Sequence, residues 1–115
     1  MFNQNDLLAN HKRHNVILQA YAPIGRANPK ILTNPALQKI GSLHNKTSAQ
    51  VAIRWIIQRG AALVIKSSNP KRISNNLNVF DFTLTDEEMS QIGRIKQESR
   101  MFKFAQARNH PDYPF

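Results

Sequence analysis

Apolar residues follow two different spacings along this chain. Two compact apolar runs, residues 16–20 and 61–65, contain β-branched side chains and are separated by segments in which apolar residues recur every three or four positions. A short continuous run of this kind is typical of a strand buried on both faces, as the strands of parallel sheets are. The order strand, helices, strand therefore predicts a βαβ crossover in a parallel sheet.

Capping signals divide most of the remaining chain into helices. The first helix is predicted over residues 5–14, and four further N-caps are predicted at Asn34, Thr47, Asn69 and Thr85. Proline follows Asn34 and Asn69 directly, while Thr47 and Thr85 each stand three residues before Gln or Glu and so form capping boxes. The apolar residues that these helices carry are Leu7, Leu8, Leu37, Ile40, Leu43, Val51, Ala52, Trp55, Ile56, Met89, Ile92 and Ile95.

Helical periodicity fades at the end of the chain. Residues 97–115 hold Pro111 and Pro114 among several aromatic residues. This composition predicts an extended segment that lies on a surface, in a position to cover a ligand.

Length and composition limit the classes of protein to which this chain can belong. The chain has 115 residues, 41% of them hydrophobic, with six prolines, four glycines and no cysteine. These values predict a single packed domain or part of one, and they exclude collagen-like, low-complexity and wholly disordered classes. No apolar run approaches the roughly 18 residues of a membrane span, so no membrane partner is expected. The chain shows neither a secretory signal nor a thiol for a disulfide, which predicts a cytoplasmic location.

Charge is distributed unevenly along the chain. The formal net charge is +9, and eleven Lys or Arg residues but no acid lie between Asp6 and Asp81. An anionic partner for this middle segment is one interpretation, and a solvated basic surface is the alternative. No nucleic-acid partner is expected, because no recognition motif accompanies the basic residues.

One cluster has the composition of a phosphate site. Lys66, Ser67, Asn69 and Arg72 follow the second predicted strand and open a helix, with Asn75 and Asn76 further along it. A guanidinium, an ammonium and the free N–H groups of a helix's first turn all bind phosphate oxygens. The turn at residues 21–26 follows the first predicted strand, so both turns are expected at one edge of the sheet. The alternative is that Lys66 and Arg72 are solvated charges and that Asn69 is only a cap.

Other groups that could carry chemistry lack the necessary neighbours in sequence. No metal site is predicted, because the histidines have no Cys, Asp or Glu at ligand spacing. Ser67 and Ser74 have no His and acid arranged near them, so no catalytic nucleophile is predicted. The acids at residues 86–88 are explained by the dipole of the helix that they begin. The four histidines are His11, His14, His44 and His110.

Five segments, in order, resemble the aldo-keto reductase family, and together they cover essentially the whole chain. Residues 20–25 read Ala-Tyr-Ala-Pro-Ile-Gly, and residues 46–55 read Lys-Thr-Ser-Ala-Gln-Val-Ala-Ile-Arg-Trp. Residues 65–76 resemble the family's Pro-Lys-Ser-x-x-x-x-Arg-Ile-x-x-Asn segment, and residues 79–85 and 112–115 complete the pattern. The match is to the C-terminal portion of the family.

The resemblance implies an α/β fold, the C-terminal part of a (β/α)₈ TIM barrel. Residues 1–115 would form about the last two βα units with the C-terminal helix and tail, an incomplete barrel. The implied cofactor is NADP(H), with its 2′-phosphate held by the segment from Lys66 to Arg72, its adenine near Asn75 and Asn76, and its nicotinamide stacked on Tyr21. The implied cofactor-binding residues are Tyr21, Ala22, Ile24, Arg26, Lys66, Ser67, Ser68, Asn69, Arg72, Asn75 and Asn76.

The resemblance also implies the reaction, the reduction of an aldehyde or ketone by hydride transfer, with a small carbonyl compound as substrate. Residues 101–108 would form part of the substrate pocket wall. Three positions depart from the family pattern, since Ala22 replaces Ser, Ile65 replaces Pro and Asn75 replaces Glu.

No position matches the family's catalytic Asp, Tyr, Lys and His, so no catalytic residue is predicted in this chain. The alternative is a truncated, non-catalytic remnant that binds nucleotide or docks on a partner. Two strands cannot close a barrel, so the isolated chain is expected to be marginally stable or prone to aggregation. The missing N-terminal part of the barrel is a candidate partner.

Overall fold

Two short parallel strands organise the fold. The computed structural model describes residues 3–95 and 105–111. Strands β1 (Gln19–Tyr21) and β2 (Ala62–Val64) pair in parallel, with Gln19 opposite Ala62 and Tyr21 opposite Val64. Helices α2 (Pro29–Leu32), α3 (Pro35–His44) and α4 (Ser48–Gln58) connect the two strands. The predicted βαβ crossover is confirmed.

Further helices precede and follow this crossover. Helix α1 spans Asn5–Arg13, α5 spans Pro70–Leu77 and α6 spans Asp86–Gly93. All four predicted N-caps are confirmed: the side chains of Asn34, Thr47, Asn69 and Thr85 each accept a hydrogen bond from the backbone of the first turn, and both capping boxes are complete. The four-residue helix α2 was not predicted; its capping Asn28 and its first residue Pro29 follow the predicted turn at residues 21–26.

Helix α4 lies at the centre of the hydrophobic core. Trp55 is 4% exposed and its Nε1 donates a hydrogen bond to the carbonyl oxygen of Met89 at 3.1 Å, which confirms Trp55 as a core residue. Burying this ring together with its polar atom is stabilising because the N–H keeps a partner. The buried residues that pack together are Leu37, Ile40, Val51, Ala52, Trp55, Ile56, Leu84 and Ile92.

The buried face of α3 differs from the prediction at one position. Leu43 is 71% exposed, whereas Leu37, Ile40 and Gly41 are buried and His44 is partly buried. Residues 37, 40, 41 and 44 follow the i, i+3, i+4, i+7 spacing of one helix face, and Leu43 lies outside it. The predicted apolar stripe was therefore wrong at its last residue, where a polar side chain faces the protein.

The two strands are covered on one face only, so the prediction that they are buried on both faces was wrong. Ala20 is partly buried against the core, whereas Tyr21 is 66% exposed and Val64 is 48% exposed. Val16 and Ile17, predicted to begin the first strand, precede β1 and are 52% and 77% exposed. In the described part of the chain one layer of helices covers the sheet, and its second face meets solvent.

The described part of the tail is turned rather than extended. Ala105–Ala107 form a single 3₁₀ turn, and residues 105–111 are exposed. The extended prediction was wrong for this turn, and the remainder of the predicted tail lies outside the described residues. Across residues 3–95 and 105–111, no helix has the length and apolar character needed to cross a membrane.

Candidate functional site

The two predicted turns lie at the same edge of the sheet. Tyr21 and Val64 form the last pair of the parallel ladder, so β1 and β2 end side by side. The turn at residues 22–27 and the loop at residues 65–69 both leave from these ends. Carboxyl ends of parallel strands are the usual place for ligands in α/β folds. The structure thus brings together the two segments that hold seven of the eleven candidate residues. Tyr21 lies at the end of β1, and Arg72, Asn75 and Asn76 lie on α5.

The turn after β1 has an unusual backbone. Ala22, Arg26 and Ala27 have φ angles of 48°, 56° and 60°, in the left-handed region, and Gly25 has 57°. This conformation costs a residue with a Cβ roughly 1–2 kcal/mol. Hydrogen bonds inside the segment support it, because the Gly25 N–H donates to the Ala22 carbonyl at 2.8 Å. Such strained backbone is often found at ligand sites.

The loop after β2 is organised by its own side chains. Ser67 Oγ accepts the N–H of Asn69 at 3.2 Å, and Asn69 Oδ1 accepts the N–H of Arg72 at 3.2 Å. These bonds fix the start of α5 without any ligand. Capping by Asn69 is therefore confirmed, and Ser67 has a structural role beside any contact with phosphate.

Three cations surround the start of α5. Lys66, Lys71 and Arg72 are exposed, and within the described residues none of them forms an ion pair or a side-chain hydrogen bond. Arg72 occupies the third position of the helix, where backbone N–H groups point out of the helix end. The edge of the sheet therefore presents positive charge that no described carboxylate neutralises.

The C-terminal end of α5 is held by a buried amide. Gln50 is 5% exposed, and its Nε2 donates to the carbonyl oxygens of Asn75 and Asn78, both at 3.0 Å. Its Oε1 accepts the N–H of Thr47 at 2.9 Å as part of the capping box. Gln50 was predicted only as a capping residue. Its contact with α5 was missed, because nothing local in the sequence marks a partner 25 residues away.

A second buried side chain anchors the turn that follows α5. Lys46 Nζ donates to Asp81 Oδ2 at 2.7 Å and to the carbonyl oxygen of Asn78 at 3.3 Å, and it lies 5.3 Å from the centroid of the Phe82 ring. The hydrogen bond from Lys46 is the main cause that lowers the pKa of the Asp81 carboxyl. This ion pair positions the segment beside α5 and was not predicted.

His44 and Glu88 connect α3 to α6. The His44 Nε2 lies 2.9 Å and 3.1 Å from the two carboxylate oxygens of Glu88. Burial by itself would raise the pKa of Glu88, but hydrogen bonds from the Thr85 backbone N–H and from His44 outweigh it, so the pKa is lowered. The sequence explained Glu88 through the helix dipole alone and placed His44 on the surface. Its place on the buried face of α3 would have indicated a partner.

The chemistry available at this edge is the binding of anions. The chemistry-bearing side chains of the two turns are two cations, two hydroxyls and one amide, and no three metal-ligating side chains come together among the described residues. Tyr21 adds an exposed aromatic ring at the end of β1. These groups bind and orient a phosphate-bearing ligand.

Comparison with known proteins decides the family. The sequence profile of the Aldo/keto reductase family matches residues 1–97. The chain belongs to this family. Aldo-keto reductases are oxidoreductases, so the resemblance found in the sequence is confirmed at the level of the family.

Individual relatives agree with this assignment. The chain is 41% identical over 122 residues to prostaglandin F synthase 2 of Bos taurus. The match covers 98% of this chain but 38% of that protein. It superposes on the aldose reductase of Schistosoma japonicum with a TM-score of 0.91 at 37% identity, covering 99% of this chain and 36% of that one. The chain superposes on a Gox0644 variant in complex with NADPH with a TM-score of 0.80 at 36% identity. This match covers 88% of this chain and 37% of that one.

The chain therefore spans about two fifths of the length of the aldo-keto reductases that it matches. Its two strands and surrounding helices fit a fragment of an α/β barrel, as the predicted fold class requires. The roles of individual cofactor residues stay predictions.

Proposed function

We propose that this chain supplies the NADP(H)-binding part of an aldo-keto reductase that reduces aldehydes or ketones to alcohols. In this proposal residues 1–115 form one incomplete-barrel domain with about the last two βα units, and the remainder of the barrel is its partner. The observation that carries the proposal is a set of cations, Lys66, Lys71 and Arg72, that have no acidic partner among the described residues and lie at the edge where β1 and β2 end. A structural neighbour with NADPH bound supports the choice of cofactor.

The donors at the start of α5 fit the 2′-phosphate of NADP(H). Arg72 presents a planar fork that matches a phosphate through two parallel hydrogen bonds, and Lys66 adds a compact positive charge. Ser67 contributes a hydroxyl that already lies 3.2 Å from the Asn69 N–H. In this assignment Asn69 shapes the site by capping α5, and Ser68 lies between these groups as part of the same loop.

The remaining candidate residues fit the other parts of the cofactor. The backbone of the β1 turn, including Ala22, Ile24 and Arg26, would run along the pyrophosphate, and Tyr21 would stack on the nicotinamide. Ala22 has no hydroxyl, so this contact would come from backbone N–H groups alone. Asn75 and Asn76, both partly exposed on α5, would lie beside the adenine.

The contribution of this chain to the reaction is binding and orientation. When bound, NADP(H) supplies the hydride that reduces the carbonyl carbon. The residues named here would hold the phosphates and the rings so that the nicotinamide faces the substrate. The acid that protonates the carbonyl oxygen would come from the partner part of the barrel, since the proposal assigns no catalytic residue to this chain.

Isothermal titration with 2′,5′-ADP and with 5′-AMP tests the proposal directly. These two nucleotides share the adenosine and the 5′-phosphate and differ in the 2′-phosphate, which two charge-assisted contacts should recognise. We expect 2′,5′-ADP to bind at least about tenfold more tightly, since tenfold corresponds to about 1.4 kcal/mol. Equal affinities for the two nucleotides would contradict the assignment of Lys66 and Arg72.

A further inference from the structure

Ser74 has a charge context that no other hydroxyl residue of the chain shares. Lys71 and Arg72 precede it by three and two positions, and no other serine or threonine has Lys or Arg at both of these positions. Kinases select their substrates partly by such charge patterns, and one class of serine/threonine kinases requires basic residues at these two positions. The sequence around Ser74 therefore has the pattern of a substrate for that class.

The Ser74 side chain is accessible. It is exposed on α5, and within the described residues its hydroxyl forms no hydrogen bond. Lys71 and Arg72 are exposed as well, and neither has an acidic partner in the described part of the chain. All three side chains are thus open to a protein that approaches α5 from solvent.

The helix that carries Ser74 is weakly attached to the core. None of the residues of α5 is buried. The side chain of Gln50 holds the helix by its C-terminal end, through the carbonyl oxygens of Asn75 and Asn78. A kinase binds its substrate as an extended segment, so α5 has to open locally, and a segment with few buried apolar contacts opens at low cost. The hydrophobic core stays intact when it does.

Ser74 and the candidate cofactor residues lie on different faces of α5. Arg72, Asn75 and Asn76 follow the i, i+3, i+4 spacing of one helix face. Ser74 is two positions from Arg72, so it lies toward the opposite face, and three positions from Lys71, which makes these two residues neighbours on the helix surface. A phosphate on Ser74 would therefore lie beside the Lys71 ammonium without occupying the proposed cofactor site.

We propose that Ser74 is a phosphorylation site for a serine/threonine kinase that recognises basic residues, with ATP as the phosphate donor. The Ser74 Oγ attacks the γ-phosphorus of ATP and forms the new O–P bond, while the bond from that phosphorus to the β,γ-bridging oxygen breaks. ADP leaves with the electron pair of the broken bond, and the hydroxyl proton passes to the catalytic aspartate of the kinase. The product carries a charge of about −2 at neutral pH.

Incubation of the full chain with a kinase of this class tests the proposal. The probe is the catalytic subunit of cyclic-AMP-dependent protein kinase with MgATP, followed by the intact mass and by mass spectrometry of the digested chain. We expect the gain of one HPO₃ group, located on Ser74. A chain that gains no phosphate, or gains it elsewhere, overturns the proposal. A synthetic peptide of residues 66–79 then shows whether the fold or the sequence excludes the kinase.

Ser90 provides a matched control within the same chain. It is exposed on α6, but Glu87 and Glu88 precede it at the two positions that Lys and Arg occupy before Ser74. Ser74→Ala should abolish the incorporation of phosphate, whereas Ser90→Ala should leave it unchanged. Both serines are exposed, so neither change should disturb the fold. Incorporation that survives Ser74→Ala refutes the site.

The basic residue three positions before Ser74 should determine the rate. Lys71→Ala removes one charge-assisted contact with the kinase, so we expect the initial rate to fall by about tenfold or more. Lys12→Ala removes the same charge from an exposed position on α1 and should change the rate by less than about twofold. Equal rates for the two variants would show that the charge beside Ser74 does not guide the kinase, which contradicts the proposal.

Phosphorylation of Ser74 should weaken the proposed 2′-phosphate site, a consequence that rests on the proposed function. The added charge lies on the helix whose first turn would hold the 2′-phosphate, and like charges repel. We expect the phosphorylated chain to bind 2′,5′-ADP at least about threefold more weakly, with a smaller change for 5′-AMP. Equal affinities of the two forms overturn this consequence. If neither form binds either nucleotide, the proposed function fails, whereas the modification is judged by the mass alone.

Discussion

Gln50 Nε2 lies 3.0 Å from the carbonyl oxygen of Asn75, so the residue that caps α4 also holds the end of α5. The same nitrogen donates to the carbonyl oxygen of Asn78 at 3.0 Å, while Oε1 accepts from Thr47. A buried amide with all of these partners fixes α5 relative to the core. The helix that carries Arg72, Asn75 and Asn76 is thereby tied to the core through the side chain of Gln50.

Replacing Gln50 should destabilise the protein and loosen α5. Gln50→Ala removes a capping-box partner and leaves two carbonyl oxygens without this donor, so we expect a loss of about 2–3 kcal/mol in the free energy of unfolding. Urea denaturation followed by circular dichroism measures it. Gln38→Ala, a matched change at an exposed position of α3, should stay within about 0.5 kcal/mol of the original protein. Similar losses in both variants would refute the role of Gln50.

Arg72 should determine the preference for a 2′-phosphate. Arg72→Ala removes the proposed bidentate contact, so we expect affinity for 2′,5′-ADP to fall by about tenfold or more while affinity for 5′-AMP changes by less than about twofold. Lys39→Ala, an equal loss of charge at an exposed position of α3, controls for the net charge of the chain. If both nucleotides lose affinity equally, Arg72 does not recognise the 2′-phosphate.

Asn69 should act on the proposed cofactor site by capping α5. Asn69→Ala removes the cap of α5 and should cost about 1 kcal/mol of stability, whereas Asn69→Ser keeps a capping oxygen and should cost little. If capping is the whole role of Asn69, the Ser variant retains affinity for 2′,5′-ADP. A Ser variant that is stable but binds at least about tenfold more weakly would instead assign Asn69 a direct contact with phosphate.

The helices and their ends were predictable because the signals are local. Asn34, Thr47, Asn69 and Thr85 each bond to a backbone N–H two or three residues ahead, a distance within which sequence alone defines the partner. The parallel pairing was also predictable, because the helices between the two apolar runs allow a crossover. These local signals account for most of the fold.

Contacts between distant segments were not predictable from one sequence. His44 and Glu88 are 44 residues apart, and Lys46 and Asp81 are 35 apart, so no spacing rule connects them. The exposure of Val64 depends on what covers the second face of the sheet, which apolar composition does not specify. For the candidate site, the sequence predicted the loops and their charges, and the structure added the sheet edge that unites them.

The uncovered face of the sheet should drive association of the chain. Ile17 is 77% exposed beside β1, and both strands of the described sheet have an unpaired outer edge. Exposed apolar edge residues promote self-association. We expect sedimentation velocity to detect association of the chain and Ile17→Lys to reduce it. Leu43→Lys, at a residue 71% exposed on α3, adds the same charge away from the sheet and should have less effect. A monomeric original chain would contradict this expectation.

Acid should destabilise the protein through two carboxyl groups. The pKa of Glu88 and that of Asp81 are both lowered in the folded state, by the hydrogen bonds and charges around them. A lowered pKa means that the folded protein binds fewer protons than the unfolded chain, whose Glu has a pKa of about 4.3. The stability that these carboxyl groups contribute is therefore fully present above the pKa of the unfolded chain. It is lost as the pH falls through the pKa of the folded state.

The urea concentration at the midpoint of unfolding should fall as the pH is lowered from 6 to 3, and Glu88 should account for part of this fall. We expect Glu88→Gln to lower the midpoint at pH 6, because the charged partner of His44 is lost, and to weaken the decline toward pH 3, because one of the two carboxyl groups no longer titrates. Glu87→Gln changes the same charge on an exposed position of the same helix turn and should leave the decline as it is. If the two variants give parallel curves, the lowered pKa of Glu88 does not contribute to the acid sensitivity, and this prediction is refuted.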